Sequence, residues 1–390
     1  MRILIWGPAP WSNTGYGVYC RNLATTLAKE GHDTAIFAFT GLSGRVQWGD
    51  ITVFGNPFNN SQHWVREVAR RWKADITLQV FDAWTLHGSL HRFLPPRMVL
   101  HTPIDSEPLA EWFVEAARQA AAVVPQSFYG KNVYEQAGIL TEDPIYNGID
   151  PNDYRPHPKA KARRKFKMGS GRMPKDAFVA LIVGTNKGDR KNLPNQLMAF
   201  AEFARRHEDA YLIAWTYPFF DQVNPEGYML PDIWARCNGP EGRFIYPDME
   251  QYHWGMDDSE MALLYSSADV LMECSLGEGF GRPIIEAMAC RTPVIGSNNT
   301  AITELVQGRG WLVPCSVPYW QQFLSSRQSY PDNDAILEAL EDAYTDTQKR
   351  LGFADAGVSF SMGLHYDTLI SERWLPLLRR VAGAQVDFSK

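Results

Sequence analysis

The sequence holds no C-x-x-C pair, no apolar run of membrane-spanning length, no low-complexity tract and no internal repeat. Its five cysteines, Cys20, Cys237, Cys274, Cys290 and Cys315, are scattered and odd in number. That pattern argues against a disulfide framework or a zinc site and fits a reducing compartment. The opening stretch Met1 to Gly7 is too short and too quickly interrupted for a secretory leader. A cytoplasmic location is therefore expected, with peripheral membrane association left open. An excess of basic charge is also missing. The 38 Lys and Arg against 44 Asp and Glu give a net charge of −6, which argues against a general nucleic-acid binder.

What is present is length and alternation. A chain of 390 residues sets a prior of two or three domains with ample cores. Tryptophan is plentiful, and each one is first read as core packing, because aromatic burial dominates interiors. Arg2 to Trp6 reads as a strand, Val18 to Glu30 as a helix stopped by Gly31, and Thr34 to Phe39 as a second strand. Ile76–Phe81, Met98–Leu100 and Ala122–Pro125 continue as strands, with a helix over Glu111–Ala122. After Asn147-Gly148-Ile149-Asp150 the alternation restarts. Strands are expected at Phe178–Val183, Tyr211–Trp215, Arg243–Tyr246, Val270–Glu273 and Pro293–Ile295. Helices are expected at Pro194–Arg206, Ser259–Ser266, Pro283–Ala289 and Ala335–Tyr344. Tyr217 to Trp254 is loop-rich and aromatic and, apart from the strand at Arg243–Tyr246, receives no assignment. The fold class is α/β, two doubly wound domains.

The densest chemistry is the pair of glutamates around Glu278-Gly279-Phe280-Gly281-Arg282-Pro283-Ile284-Ile285-Glu286. A glycine-rich loop follows a strand. Pro283 suits the first turn of the next helix, since its fixed φ and missing N–H do no harm there. Such a helix start offers backbone N–H groups to a diphosphate. Gly279 and Gly281 permit close approach. Two carboxylates beside it can accept sugar or ribose hydroxyls, or stabilise positive charge on an anomeric carbon. On spacing alone, an ordinary acid-decorated helix start is an equally good account.

Ser275 through Ala289, followed by Thr292-Pro293-Val294-Ile295, closely resembles the E-x7-E region of the retaining GT-B glycosyltransferases. This is the large group-1 family that includes bacterial glycogen synthase and many mannosyl- and glucosyltransferases. The resemblance implies two Rossmann-like domains facing a central cleft. It assigns the transferred sugar to Glu278 and the nucleotide ribose to Glu286, with Gly279, Phe280 and Gly281 at the donor. Gly15 and Gly17, flanking Tyr16, resemble the family's N-terminal glycine loop, which faces donor phosphate and acceptor. The dinucleotide fingerprint G-x-G-x-x-G is not met there, because Cys20 stands at its last place. His101 falls where the family places a histidine aimed at the donor sugar, and Asp105 follows on the acceptor side. In Gly184-Thr185-Asn186-Lys187-Gly188-Asp189-Arg190-Lys191-Asn192 the sequence departs from the family. Thr185 stands where an arginine is usual, so either Arg190 supplies the guanidinium beside Lys191 or one diphosphate contact is lost.

The implied domains are 1–152, a basic linker 153–175, and 176–364, with a last helix over about 365–390 packing back on the first domain. The basic run Arg155, Lys159, Lys161, Arg163, Arg164, Lys165, Lys167, Arg172 and Lys175 reads as a solvated linker or as a strip for DNA or an anionic surface. Asp332-Asn333-Asp334 precedes a helical run, so Asp332 is read as an N-cap and no catalytic metal or other cofactor is expected. The implied activity is metal-independent, retaining transfer of a hexose from a UDP- or GDP-sugar, UDP-glucose among them, to a hydroxyl. A hydroxylated DNA base as acceptor and a catalytically silent nucleotide-sugar binder are the alternatives.

Overall fold

The computed structural model describes residues 1–39, 43–56, 63–87, 94–95, 97–165, 174 and 176–384. The chain divides into two units. Unit 1 comprises Met1–Gly148, Gln321–Ser326 and Leu364–Lys390, and unit 2 comprises Ile149–Trp320 and Arg327–Gly363.

Unit 1 opens with β1 (Arg2–Gly7), buried from Ile3 onward. An apolar run of this kind forms a strand covered on both faces. The first helix, α1 (Gly15–Lys29), starts three residues earlier than the sequence pattern suggests. The reason is Thr14, whose hydroxyl accepts the Gly17 N–H at 3.1 Å and caps the helix. Gly15 and Gly17 therefore form the first turn of α1 rather than a loop. Gly17 is needed there, since a Cβ would fall 2.2 Å from the Ser12 carbonyl oxygen.

Next come β2 (Asp33–Ala38), β3 (Arg45–Trp48), β4 (Ile51–Phe54), α2 (His63–Trp72), β5 (Ile76–Gln79), β6 (Met98–Leu100), α3 (Glu111–Ala117), β7 (Ala122–Val123) and α4 (Phe128–Gln136). The seven strands lie in the order β3-β4-β2-β1-β5-β6-β7. Only the β3–β4 pairing is antiparallel.

In unit 2, the residues expected to form a loose linker include a helix, α5 (Lys159–Lys165). Lys159 Nζ and Arg163 Nη2 donate to Asp269 at 2.6 and 2.8 Å. Asp269 also accepts the Val179 N–H at 2.8 Å, so it ties α5 to the sheet. These two cations of the run are thus engaged by their own unit. Lys167, Arg172 and Lys175 lie outside the described residues.

The chain continues through β8 (Phe178–Val183), α6 (Leu193–Arg206), β9 (Ala210–Trp215), α7 (Leu230–Arg236), β10 (Phe244–Ile245), α8 (Met249–Trp254), α9 (Asp258–Ser267), β11 (Val270–Glu273), α10 (Arg282–Ala289), β12 (Val294–Ser297), α11 (Thr300–Val306) and β13 (Gly310–Val313). The six strands are all parallel, in the order β10-β9-β8-β11-β12-β13. The stretch Tyr217 to Trp254 thus contains two helices besides the expected strand.

A hairpin absent from the sequence reading follows, β14 (Cys315–Gln321) and β15 (Ser326–Pro331). Then come α12 (Asn333–Thr345), capped by Asp332 on Ala335 N–H, and α13 (Thr347–Ser361). The last segment, α14 (Tyr366–Leu369), a π turn over Ile370–Trp374 and α15 (Leu375–Gly383), belongs to unit 1. Its Tyr366, Ile370, Trp374 and Leu378 share a core with Ile3, Ile5, Tyr19 and Leu23.

Candidate active site

In unit 2 the strand order reverses between β8 and β11. Ligands of open parallel sheets bind outside the carboxyl ends of the strands at such a reversal. The two segments leaving these strands carry the charges singled out above, and hydrogen bonds join them. Leu276 N–H donates to Arg190 O at 2.8 Å, and Asn192 Nδ2 donates to Cys274 O at 3.1 Å. The stem of Lys191 lies over Gly184, where a Cβ would come 2.9 Å from Lys191 Cε.

Lys191 Nζ sits 2.8 Å from Glu278 Oε1 and 2.8 Å from Glu273 Oε1. Arg190 Nη1 donates to the Glu278 carboxylate and, at 3.3 Å, to Gly277 O. Glu273 also accepts the Ser275 hydroxyl. All of this is buried except Arg190, which is partly exposed. Burial opposes ionisation of Glu278, but Arg190 and Lys191 outweigh it and hold the carboxyl at about 2. Burial pushes Glu273 the other way, upward, against the pull of Lys191. Two carboxylates of one site are thereby driven apart in acidity.

The helix after the loop is set by Gly281, the N-cap of α10, at φ +91°. That left-handed value and an added Cβ 2.9 Å from Ile284 Cδ1 both require glycine. Glu278 N–H donates to Thr300 Oγ1 at 2.9 Å. Glu286, one turn into α10, accepts from Arg282 Nη2 at 2.7 Å and from the Tyr265 hydroxyl at 2.8 Å. Phe280 is buried. Thr185, at the family's usual arginine position, is exposed, whereas Arg190 reaches Glu278.

Seven expected site residues therefore belong to unit 2: Arg190, Lys191, Glu278, Gly279, Phe280, Gly281 and Glu286. The other five, Gly15, Tyr16, Gly17, His101 and Asp105, belong to unit 1. His101 is fully buried. Its Nδ1 lies 2.8 Å from Val124 O, which can only accept, so Nδ1 carries the proton. Its Nε2 then accepts the Tyr19 hydroxyl at 3.0 Å. The Trp374 ring stands edge-on at 4.9 Å. Burial lowers the His101 pKa to about 4, so the ring is neutral at pH 7. Tyr16 donates its hydroxyl to Asp82, and Ser106 donates to Asp105 at 3.1 Å. Glu273, Thr300 and Asp82 were missed in the sequence. A charged residue closing the apolar run Val270-Leu271-Met272 was the available signal for Glu273. Among the described residues no group of three or more His, Cys, Asp or Glu side chains is placed to hold a metal ion.

The two parallel-sheet α/β units make up a fold of the GT-B type, and comparison with known proteins agrees. The family model "Glycosyl transferases group 1" matches residues 246–355, which include the E-x7-E segment. Over these residues the chain is similar to the group 1 glycosyltransferases.

Among curated proteins, it is 40% identical over 75 residues to an O-antigen chain mannosyltransferase of Salmonella typhimurium, covering 19% of this chain and 21% of that one. It is 24% identical over 380 residues to the D-inositol 3-phosphate glycosyltransferase of Segniliparus rotundus, covering 83% and 80%. The chain thus spans only about a fifth of the length of the first mannosyltransferase, whereas the second alignment is long but distant. Among solved structures, sucrose-phosphate synthase of Thermosynechococcus elongatus superposes with TM-score 0.77 at 16% identity over 98% of this chain and 100% of that one. HepE of Anabaena, in complex with UDP and glucose, gives 0.69 at 19% identity over 97% and 99%. At these identities the superpositions speak for the fold.

Proposed function

We propose that this protein transfers a hexose from a nucleotide-sugar to a hydroxyl acceptor with retention of anomeric configuration and without a catalytic metal. The observation that carries the reading is Glu278, held ionised between Arg190 and Lys191 at the strand-order reversal of unit 2. A diphosphate placed against these two cations gains charge-assisted bonds. As the bond from the anomeric carbon to the diphosphate oxygen breaks, the same cations take up the charge developing on the leaving group. Arg190 here takes the part of the arginine that Thr185 replaces. Glu278 supplies negative charge to the oxocarbenium-like carbon. The acceptor oxygen forms the new bond on the face the diphosphate leaves, and its proton passes to a diphosphate oxygen. No protein base is then required.

Glu286, oriented by Arg282 and Tyr265, is suited to accept ribose hydroxyls. UDP-glucose is the first donor to test, because a similar fold binds UDP and glucose. GDP-mannose is the second, because the O-antigen relative is a mannosyltransferase.

Titration calorimetry with both nucleotide-sugars on the full chain tests the donor site. Binding by one of them, weakened about tenfold or more by Arg190→Ala, is the expected result. Unchanged affinity in that variant would remove Arg190 from the diphosphate.

A further inference from the structure

Four charged side chains meet at the unit 2 site. The transfer chemistry uses Arg190, Lys191 and Glu278 and leaves Glu273 without a task. Glu273 is the last residue of β11, with its side chain only 2% exposed. Its Oε1 lies 2.8 Å from Lys191 Nζ and also accepts the Ser275 hydroxyl. Lys191 is shared, since its Nζ lies 2.8 Å from Glu278 Oε1, to which Arg190 Nη1 also donates. The backbone around Glu273 is fixed. Glu273 pairs with Gly296 of β12, and the next N–H, that of Cys274, donates to Gln196 Oε1 at 3.3 Å. The carboxylate is therefore held where it is, away from water, whatever the ammonium does.

These four groups, two cations and two carboxylates, balance one another. The elements packed on β11 are β8, β12 and α10. Neither Phe178–Val183 nor Val294–Ser297 holds a titratable side chain. In α10, Arg282 donates to Glu286. On the Lys191 segment, Lys187 lies 3.4 Å from Glu226, and Asp189 accepts the Tyr228 hydroxyl. Burial keeps the Cys274 thiol protonated. A nucleotide-sugar brings the negative charges of its diphosphate to Lys191 and competes with Glu273 for the ammonium. An ionised carboxylate left buried without its cation is costly, and its neutral form far less so. Added negative charge nearby pushes the same way. Glu273 already leans towards protonation, because burial raises its pKa against the pull of Lys191. Glu278, held at about 2, stands much further from taking up a proton.

We propose that Glu273 is a positioning residue of the donor site, which aims the Lys191 ammonium before the donor binds and yields it to the diphosphate by taking up one proton from solvent. This rests on the nucleotide-sugar reading of unit 2. Glu273 does not touch the substrate. It acts through Lys191, and donor binding becomes linked to pH. The bound state then holds more protons, so donor affinity rises as pH falls through the bound-state pKa of Glu273 and levels off below the free-state value.

Titration calorimetry of the full chain with UDP-glucose and GDP-mannose, between pH 5.5 and 8 in buffers of different ionisation enthalpy, tests it. The diphosphate of these compounds does not titrate in that range, so net uptake reports the protein. The wild type should take up about one proton with the donor at its point of greatest uptake, and its affinity should rise about tenfold from pH 8 to pH 5.5. Glu273→Gln keeps the shape but cannot titrate. It should show no uptake and hold its affinity within about threefold over the range. A purely structural Glu273 would instead give no uptake in the wild type and weaker binding in the variant at every pH. Should the glutamine variant not fold, Glu273→Asp decides, since uptake should persist with its midpoint moved along the pH axis. Donor binding without proton uptake at any pH, uptake that persists in Glu273→Gln, or an unmoved midpoint in Glu273→Asp would overturn the proposal. Binding of neither nucleotide-sugar would remove the donor reading itself, and this role of Glu273 with it.

Discussion

The single residue on which the chemistry turns is Glu278. The family resemblance implies its role at the transferred sugar, but not that its carboxylate is bonded to the two cations expected to hold phosphate. Replacing it with alanine removes the counter-anion of Arg190 and Lys191. UDP affinity in Glu278→Ala should therefore hold or rise, as titration calorimetry would show, even as turnover disappears. His101 is a second residue with a measurable signature. Its imidazole titrates near 6.5 unfolded and about 4 folded, so the native state binds fewer protons between those values. Its contribution is present above pH 6.5 and is lost as pH falls towards 4, by about 3 kcal/mol in total. Urea midpoints measured from pH 7 to pH 4.5 should fall more steeply in the wild type than in His101→Gln. Parallel slopes would contradict its burial as a neutral ring. The position of His101 was legible in the sequence. Its tautomer was not, because the partner Val124 O lies on the neighbouring strand segment and Tyr19 on a helix 82 residues away.

At the scale of elements, buried parallel strands such as Phe178–Val183 and Met98–Leu100 were read to the residue, since continuous apolar runs leave little choice. The helix α1 began early because a threonine cap outranked two glycines. The strand β3 was missed because Arg45-Val46-Gln47-Trp48 lies on an edge with little burial to pattern it. The hairpin of β14 and β15 was missed because its strands carry few buried apolar residues. The helix α5 was read as linker because charge composition hides Asp269, its partner more than a hundred residues on.

The loop opening α10 gives a test of its own. Gly281 and Gly308 both have positive φ, at +91° and +76°, but only Gly281 has neighbours for a Cβ. Alanine at either should cost about 1–3 kcal/mol in denaturant titrations. Only Gly281→Ala should also impair nucleotide-sugar binding. Equal binding by both variants would detach the α10 start from the donor site.

For the whole molecule, two mainly parallel sheets each reverse their strand order once, and each reversal carries a distinct chemistry. Unit 2 offers cations and a paired carboxylate, and unit 1 offers the rings Tyr16, Phe81 and Trp84 around Asp82. The repeat of alternation after Asn147 made this division visible in the sequence. Tyr16 was singled out in the sequence, but its partners Asp82 and Trp84 were not, because they follow β5 some 66 residues on from the first turn of α1. The central claim is that the unit 2 site transfers a sugar, and the direct measurement is release of labelled hexose from UDP-glucose and GDP-mannose. It is made with and without a glycoside acceptor, on wild-type protein and on Glu278→Ala of unchanged melting temperature. The account predicts turnover of one donor by the wild type and a loss of about a hundredfold or more in the variant. Turnover of a donor by Glu278→Ala at the wild-type rate would contradict it.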